Sequence, residues 1–333
     1  RGAQDMKGQV AAELAAVVEL ARAGWRPASG TLKIIVTADE EAGGNFGARW
    51  LCEEHPEKVR ADVIVNEGGG QRFVYEGRRF VRVGCAEKGF SRFNIVTHGK
   101  AGHASVPRMG ENALLKMAPL LERLASRQPA YDLTAEPRAI LTALFGVEPD
   151  NGDVPELLRR IEAVDSRLAV LLEPTLGVTL TPTMAEASAK VNVIPAHASV
   201  RVDCRVPPGF GADLAEQRAR EVLGEGDYTL EFGECAVGNA SAHDTPLMDA
   251  IVEWVAGVDP DAIVIPSVLP GFTDSRWFRD AFPDCVAYGF FPQTEMDMYE
   301  SDPLIHSADE RIPVDDLTLA AEFFCFVLPK LLG

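Results

Sequence analysis

Two apolar runs that each end in acidic residues constrain the fold of this chain more than any other feature. Residues 31–38 (TLKIIVTA) are followed shortly by Glu40 and Glu41, and residues 61–66 (ADVIVN) are followed directly by Glu67. Short runs rich in β-branched residues are typical of strands buried in a parallel sheet. Because a helical stretch lies between the runs, the order predicts two parallel strands. The ligand crevice of such a sheet lies beyond the carboxyl ends of its strands, so we expect these acids at one site.

The patterning of the remaining chain predicts two domains, one inserted into the other. Residues 1–86 and 238–333 both show the pattern of short apolar strands and amphipathic helices that is typical of an α/β domain. Residues 87–237 follow the order β, α, β, β, α, β of a ferredoxin-like split βαβ domain, with an extra segment over residues 127–175. The strands predicted for the inserted domain are residues 91–98, 186–193, 197–205 and 228–234.

Composition excludes several classes of protein. The formal charge of −18, without a visible Lys/Arg cluster, argues against a nucleic-acid partner. No apolar run reaches the roughly 20 residues that a membrane span requires. The 6 cysteines lack CxxC spacing, so they predict neither a zinc ribbon nor a disulfide framework, and they favour a reducing, cytoplasmic compartment. The acidic surplus is compatible with a solvated surface or with carboxylates gathered around a metal.

Five side chains could supply most of a hydrolytic two-zinc site, which needs a bridging carboxylate, further nitrogen or oxygen ligands and a separate base. They are Asp5, Glu40, Glu41, Glu67 and His306. Each has a structural alternative, since Asp5 could simply cap a helix and adjacent acids commonly form a solvated loop. Carboxylates crowded into one crevice repel one another, so a bound cation would favour their assembly.

Seven motifs occur in the order and spacing typical of the M20 family of zinc aminoacylases, deacetylases, dipeptidases and carboxypeptidases. They are RGAQDMKG, TADEEAGG, VNEGGG, GKAGHAS, NVIP with a later DCR, GFTDSR and HSADERIPVDDL. The resemblance covers the whole chain. It implies a zinc-peptidase-like α/β catalytic domain with a mixed, largely parallel sheet flanked by helices. It also implies an inserted α+β ferredoxin-like domain that serves as lid and dimerisation surface, so a homodimer is expected.

The resemblance also implies a role for each acidic residue of the site. Asp5 would bridge two zinc ions, Glu41 and His306 would complete the first zinc, and Glu67 would bind the second. Glu40 would be the general base, which must stay off the metal and have a pKa raised toward neutrality. A single zinc, Co²⁺ or Mn²⁺ is the alternative to two zincs.

Three residues of the inserted domain match substrate-handling positions of the family. His103 in GKAGHAS matches the histidine that stabilises the oxyanion, which in family dimers reaches the neighbouring subunit's site. Asn192 and Arg205 match lid residues that hold the substrate. The structural alternatives are an ordinary surface histidine for His103 and a cross-strand pair with Asp203 for Arg205.

Arg276 in GFTDSR matches the arginine that receives the free carboxylate of the substrate. A guanidinium group suits that task because it can form two parallel hydrogen bonds to a carboxylate. The structural alternative is an ordinary surface ion pair with Asp274 or Asp280. The implied substrate is a dipeptide or an N-acyl amino acid, cleaved at its amide bond.

The family pattern begins with an HxD motif upstream of the bridging aspartate, and that motif is not found before Asp5. We therefore expect an N-terminal segment to be missing, which leaves only Asp5 and Glu67 for the second zinc. We also expect exposed apolar surface and an open sheet edge. An inactive fragment, or a non-catalytic homologue that uses the fold as a binding scaffold, is the alternative to a hydrolase.

Overall fold

The computed structural model describes all residues, 1–333, and contains two main β-sheets and twelve α-helices. The strands are β1 (Val63–Asn66), β2 (Arg72–Tyr75), β3 (Arg78–Glu87), β4 (Gly89–His98), β5 (Gly102–His103), β6 (Thr179–Glu186), β7 (Val193–Ile194), β8 (His197–Val206), β9 (Thr229–Ala236), β10 (Ala262–Leu269) and β11 (Val286–Gly289).

The helices are α1 (Gly8–Arg22), α2 (Ala48–Glu54), α3 (Pro56–Val59), α4 (Ala113–Ser126), α5 (Ala135–Phe145), α6 (Val154–Val164), α7 (Ser166–Leu172), α8 (Ala212–Leu223), α9 (Pro246–Val258), α10 (Ser275–Ala281), α11 (Met298–Ser301) and α12 (Val314–Leu332). None of these helices has the length and apolar character needed to cross a bilayer.

The larger sheet has the strand order β1-β11-β3-β10, with β2 paired to β3. The pairs β1–β11 and β3–β10 are parallel, whereas β2–β3 and the single contact between β11 and β3 are antiparallel. This mixed sheet flanked by helices confirms the predicted fold class.

Helices cover both faces of the larger sheet. On one face α1, α9 and α12 bury a core in which Trp254, Phe290 and Phe323 contact one another edge to face. Ala12 and Ala16 are small and buried, so α1 lies close to α12. On the other face α5, α6 and α7 pack against β2, β3 and β10. Although these three helices belong to the extra segment of the predicted inserted domain, their apolar side chains complete the core of the larger sheet.

The predicted strand over residues 31–38 is wrong. Residues 31–37 belong to no helix or strand and form no backbone hydrogen bond, and the second apolar run pairs through β1 with β11 instead. A strand needs a neighbour at about 4.8 Å to complete its ladder, and no strand lies beside this segment. The predicted parallel pair is therefore not formed.

A cleft of about 1110 Å³ lies between residues 31–37 and β1, and residues from both line it. It is lined in part by Val10, Val17, Leu32, Ile34, Val63 and Phe324. Because β1 is hydrogen-bonded to β11 on one side only, it is an edge strand of the larger sheet. The expected exposed apolar surface and open sheet edge are both present.

The smaller sheet has the order β6-β8-β4-β9, and all of its pairs are antiparallel. Helices α4 and α8 contribute to its core. Residues 197–205 form a strand as predicted, but the strand predicted at 186–193 is wrong, because the pairing with β8 is made by β6, over Thr179–Glu186. Residues 187–192 are an exposed turn region. Between this region and β8 lies only the short strand β7, which pairs with β5.

Candidate metal centre

Asp5, Glu41 and His306 converge at one point, although they are separated by up to 301 positions in the chain. His306 Nε2 lies 2.8 Å from Asp5 Oδ2 and 3.2 Å from Glu41 Oε2. One possible ligand atom from each residue lies within 4.8 Å of the other two. The structure thus brings together the three side chains that the sequence predicts for the first zinc.

Each of these residues lies in an irregular segment next to a helix or a turn. Asp5 belongs to the turn Ala3–Lys7 before α1, and Glu41 belongs to the short 3₁₀ turn Glu40–Ala42. His306 follows a second 3₁₀ turn and has a φ of 65°, in the left-handed region that non-glycine residues rarely adopt. No side chain caps the N-terminus of α1, so the helix-cap alternative for Asp5 is wrong.

Glu310 fixes the turn that carries Asp5, and sequence reasoning missed it. Its carboxylate accepts hydrogen bonds from the backbone N–H groups of Gly2 (2.8 Å), Gln4 (2.8 Å) and Asp5 (3.0 Å). Burial acts to raise the pKa of Glu310, but these donors together hold it below its usual value. Because Glu310 follows His306 by four residues within HSADERIPVDDL, it ties the two ligand segments together.

Glu67 and Glu40 add further carboxyl groups to the same site. Burial, followed by the charges of Glu40 and Asp5, raises the pKa of Glu67. Burial, followed by the charges of Asp274 and Asp5, raises the pKa of Glu40 to about 7. Such mutual repulsion is relieved by a bound cation. The set of carboxylate oxygens and one imidazole nitrogen suits zinc, so the residues present fit a metal centre.

The three glycines after Glu67 form a tight turn that leads from β1 to β2. Gly70 has a φ of +96°, and a Cβ atom there would lie 2.1 Å from the carbonyl oxygen of Phe291. Only glycine tolerates both the left-handed backbone and the close approach. The turn therefore holds Glu67 against the backbone that follows β11.

Replacement of Gly70 by alanine is expected to lower the free energy of unfolding by more than about 2 kcal/mol, because a clash with backbone adds to left-handed strain. Gly77→Ala is the matched control, since Gly77 has a φ of +76° with no atom within 4 Å of the added Cβ. The free energy of unfolding of the control variant should fall by only about 1–2 kcal/mol. Urea unfolding of both variants measures the difference, and equal losses would contradict the proposed close packing.

The residues predicted to handle the substrate from the inserted domain do not contact the metal centre. His103 is exposed on β5, and its Nδ1 atom lies 2.7 Å from the hydroxyl of Ser105. Asn192 lies beside it, because the Asn192 carbonyl accepts a hydrogen bond from the next residue after His103. Arg205 donates to Asp203 at 2.9 Å. That pair lies along the single strand β8, so it is not a cross-strand pair.

Arg276 is buried in the first turn of α10, with 9% of its surface exposed. Its guanidinium carbon lies 4.9 Å from the ring centre of Phe272 and 4.4 Å from that of Trp277. The one nearby carboxylate is that of Asp280, at 4.0 Å, and the Nε atom of Arg276 has no hydrogen-bond partner. Of the two partners named in the structural alternative, Asp280 therefore forms an ion pair with Arg276 and Asp274 does not, although the arginine of this pair is buried.

The chain is similar in sequence to one protein family and to several curated enzymes. A family model described as peptidase family M20/M25/M40 matches residues 1–330. The chain is 24% identical over 336 residues to a succinyl-diaminopimelate desuccinylase of Helicobacter hepaticus, covering 97% of this chain and 70% of the relative. It is 27% identical over 342 residues to the succinyl-diaminopimelate desuccinylase of Methylocella silvestris. That match covers 98% of this chain and 72% of the relative.

Solved structures show a similar fold. An M20 family metallo-carboxypeptidase from Sulfolobus solfataricus superposes with a TM-score of 0.60 at 17% identity, covering 97% of this chain and 76% of that one. Human carnosine dipeptidase 1 superposes with a TM-score of 0.59 at 15% identity, covering 99% and 73%. At these identities the likeness extends to the fold.

Proposed function

The chain belongs to peptidase family M20/M25/M40, and on that premise we propose that it hydrolyses an amide bond next to a free carboxylate at a two-zinc centre. Membership places the chain among metal-dependent hydrolases of peptide or amide bonds. The observation that carries the finer proposal is the convergence of Asp5, Glu41 and His306 on one point. The enzyme names of the relatives favour a hydrolase over a non-catalytic scaffold.

The ligands proposed for the first zinc are Asp5, Glu41 and His306, and those for the second are Asp5 and Glu67. When bound, zinc polarises a carbonyl oxygen and lowers the pKa of water. Asp5 is proposed to serve both zincs because its carboxyl group lies 2.8 Å from His306 Nε2 and is close enough to Glu67 for its charge to raise the pKa of Glu67. The hydrogen bonds from Gly2, Gln4 and Asp5 to Glu310 would keep that carboxyl group in place.

Glu40 is the proposed general base. It adjoins Glu41 in one short turn but is not part of the three-residue cluster. Burial is the largest cause of its raised pKa, and a raised pKa suits a carboxyl group that takes a proton from the attacking water and passes it to the leaving amine. Its neighbours therefore set both its position and its basicity.

The substrate is proposed to be a dipeptide or an N-acyl amino acid, whose carboxylate Arg276 would receive. The guanidinium group of Arg276 is buried, cationic and short of acceptors, which favours an anionic ligand. His103, Asn192 and Arg205 would act from the inserted domain. Because His103 is exposed and contacts no residue of the metal centre in its own chain, we propose that it serves the site of a partner in a homodimer.

Hydrolysis tests the proposal directly. The purified chain, loaded with zinc, is assayed with N-succinyl and N-acetyl amino acids and with dipeptides, each against an analogue whose carboxylate is amidated. We expect cleavage of the amide bond only in substrates that carry a free carboxylate. A chelator should abolish this activity, and added zinc should restore it. Metal-independent cleavage, or tight zinc binding with no cleavage of any substrate, would overturn the proposal.

Glu310→Ala is expected to weaken zinc binding by about 10–100-fold, because the turn carrying Asp5 loses three hydrogen bonds at once. Isothermal titration with zinc measures the change. The control is Asp309→Ala, which removes a neighbouring carboxylate without touching that turn. Unchanged zinc affinity in a folded Glu310→Ala protein would count against the positioning role.

A further inference from the structure

We propose that Trp277 is a positioning residue that holds two parts of the site at once. One face of its ring covers the guanidinium group of Arg276, and its indole N–H fixes the loop that carries Glu40 and Glu41. The ring of Phe272 also lies against the guanidinium group, with its centre 4.9 Å from the guanidinium carbon. This inference rests on the proposed function, in which Arg276 receives the substrate carboxylate and Glu40 is the base.

Two aromatic rings lie against the guanidinium group of Arg276. Phe272 and Trp277 lie 4.9 Å and 4.4 Å from its guanidinium carbon, within the range of cation–π attraction. Phe272 is itself stacked on Phe90 of β4, with ring centres 5.8 Å apart. Because aromatic faces attract the cation without accepting its in-plane hydrogen bonds, they orient the group and leave its N–H donors available to a carboxylate.

The same indole ring supports the acidic turn. Trp277 Nε1 donates to the carbonyl oxygen of Gly43 at 3.1 Å. Gly44 has a φ of +67°, and a Cβ atom there would lie 2.9 Å from Trp277 Nε1 and 2.5 Å from Asp274 Oδ1. The loop therefore lies directly on the first turn of α10. A side chain at this point would push the loop away.

A second contact anchors the other end of the acidic turn. The hydroxyl of Thr37 donates to Asp274 Oδ2 at 2.5 Å. Asp274 thus binds the chain on the N-terminal side of the turn that bears Glu40 and Glu41, and Trp277 binds it on the C-terminal side. Since Arg276 lies between these two anchors in sequence, one short stretch of chain places the carboxylate receptor and the base loop relative to each other.

Two substitutions separate the two tasks. Trp277→Phe keeps an aromatic ring over Arg276 but removes the N–H donor, so kcat is expected to fall about 3–10-fold with KM changed less than about threefold. Phe272→Leu removes one of the two aromatic rings that contact Arg276. KM for carboxylate substrates is therefore expected to rise about fivefold with kcat nearly unchanged. The matched control is Phe145→Leu, which loses a similar contact with Arg160 (4.4 Å) in the segment of residues 127–175 and should alter neither constant.

Two measurements on the intact chain do not depend on turnover. Titration of the wild type with propionate should change its tryptophan fluorescence saturably. That change should vanish in Trp277→Phe and require about fivefold more propionate in Phe272→Leu. Trp277→Phe should also bind zinc about 3–10-fold more weakly, because Glu41 is less well held.

The outcomes distinguish the two proposals. If no substrate is cleaved while the propionate and zinc results hold, the proposed function fails and the positioning role stands. If propionate leaves the fluorescence of the wild type unchanged, or if the two variants shift kcat and KM alike, the positioning role is overturned.

Discussion

Replacement of Glu40 by glutamine is expected to lower kcat by about 10²–10⁴-fold while zinc remains bound. Glutamine has nearly the same shape but cannot accept a proton, so the attacking water is no longer activated. Steady-state kinetics on an N-acyl amino acid measures kcat, and isothermal titration measures zinc affinity in the same preparation. Near-normal turnover in the variant would remove Glu40 from the role of base.

Glu41→Gln is the matched comparison for Glu40→Gln, because the two residues are adjacent in one turn. Glu41 belongs to the cluster with Asp5 and His306, so its replacement should weaken zinc binding, and turnover should recover at high zinc. Turnover of the Glu40 variant should not recover with added zinc. The same response in both variants would contradict the division of roles.

Replacement of Arg279 by methionine is expected to lower the free energy of unfolding by about 3–5 kcal/mol. Arg279 and Glu87 are 7% and 1% exposed, and their side chains approach to 3.2 Å. Glu87 also accepts hydrogen bonds from Thr273, from its backbone N–H and from its hydroxyl. Without the arginine, a buried carboxylate loses its counter-charge where β3 leads into the smaller sheet. Urea unfolding at pH 7.5 measures the loss.

The loss should shrink as the pH falls. Burial raises the pKa of Glu87 even with Arg279 present, so in the variant the folded state takes up a proton at a higher pH than the unfolded state does. Stability is then regained below that folded pKa and lost again as the pH rises through it. Arg220→Met is the control, because its pair with Glu216 at 2.6 Å is exposed and should contribute less than about 1 kcal/mol. Similar losses in both variants would contradict a special role for the buried pair.

Several features of this protein could be predicted from the sequence because they are local or because they are carried by motifs. Apolar periodicity predicts helices such as α1, α8 and α12, since one face of each must be buried. The identities of Asp5, Glu41 and His306 come from motif resemblance, and the structure places them together. Periodicity alone could not have selected Asp5 and Glu41 from the 50 acidic residues of the chain, or His306 from its 6 histidines.

Other features depend on which distant segment supplies a partner, and these only the tertiary structure decided. Residues 31–38 have the composition of a strand, yet no neighbour completes their ladder. Residues 179–186 pair with β8, although the preferred prediction lay further along the chain. Composition reports how well a segment would suit a sheet, whereas pairing depends on the geometry of the whole chain.

The same distinction applies to the candidate site. The sequence offers Asp5 as a candidate ligand, but the hydrogen bonds from its turn to Glu310 span up to 308 positions and leave no periodic signal. The sequence offers Arg276 as a candidate substrate residue, but it does not predict the burial of Arg276 against Phe272 and Trp277. Sequence determined which functional groups this protein carries and the family to which it belongs. Folding determined their orientation and environment, because those follow from contacts between residues far apart in the chain.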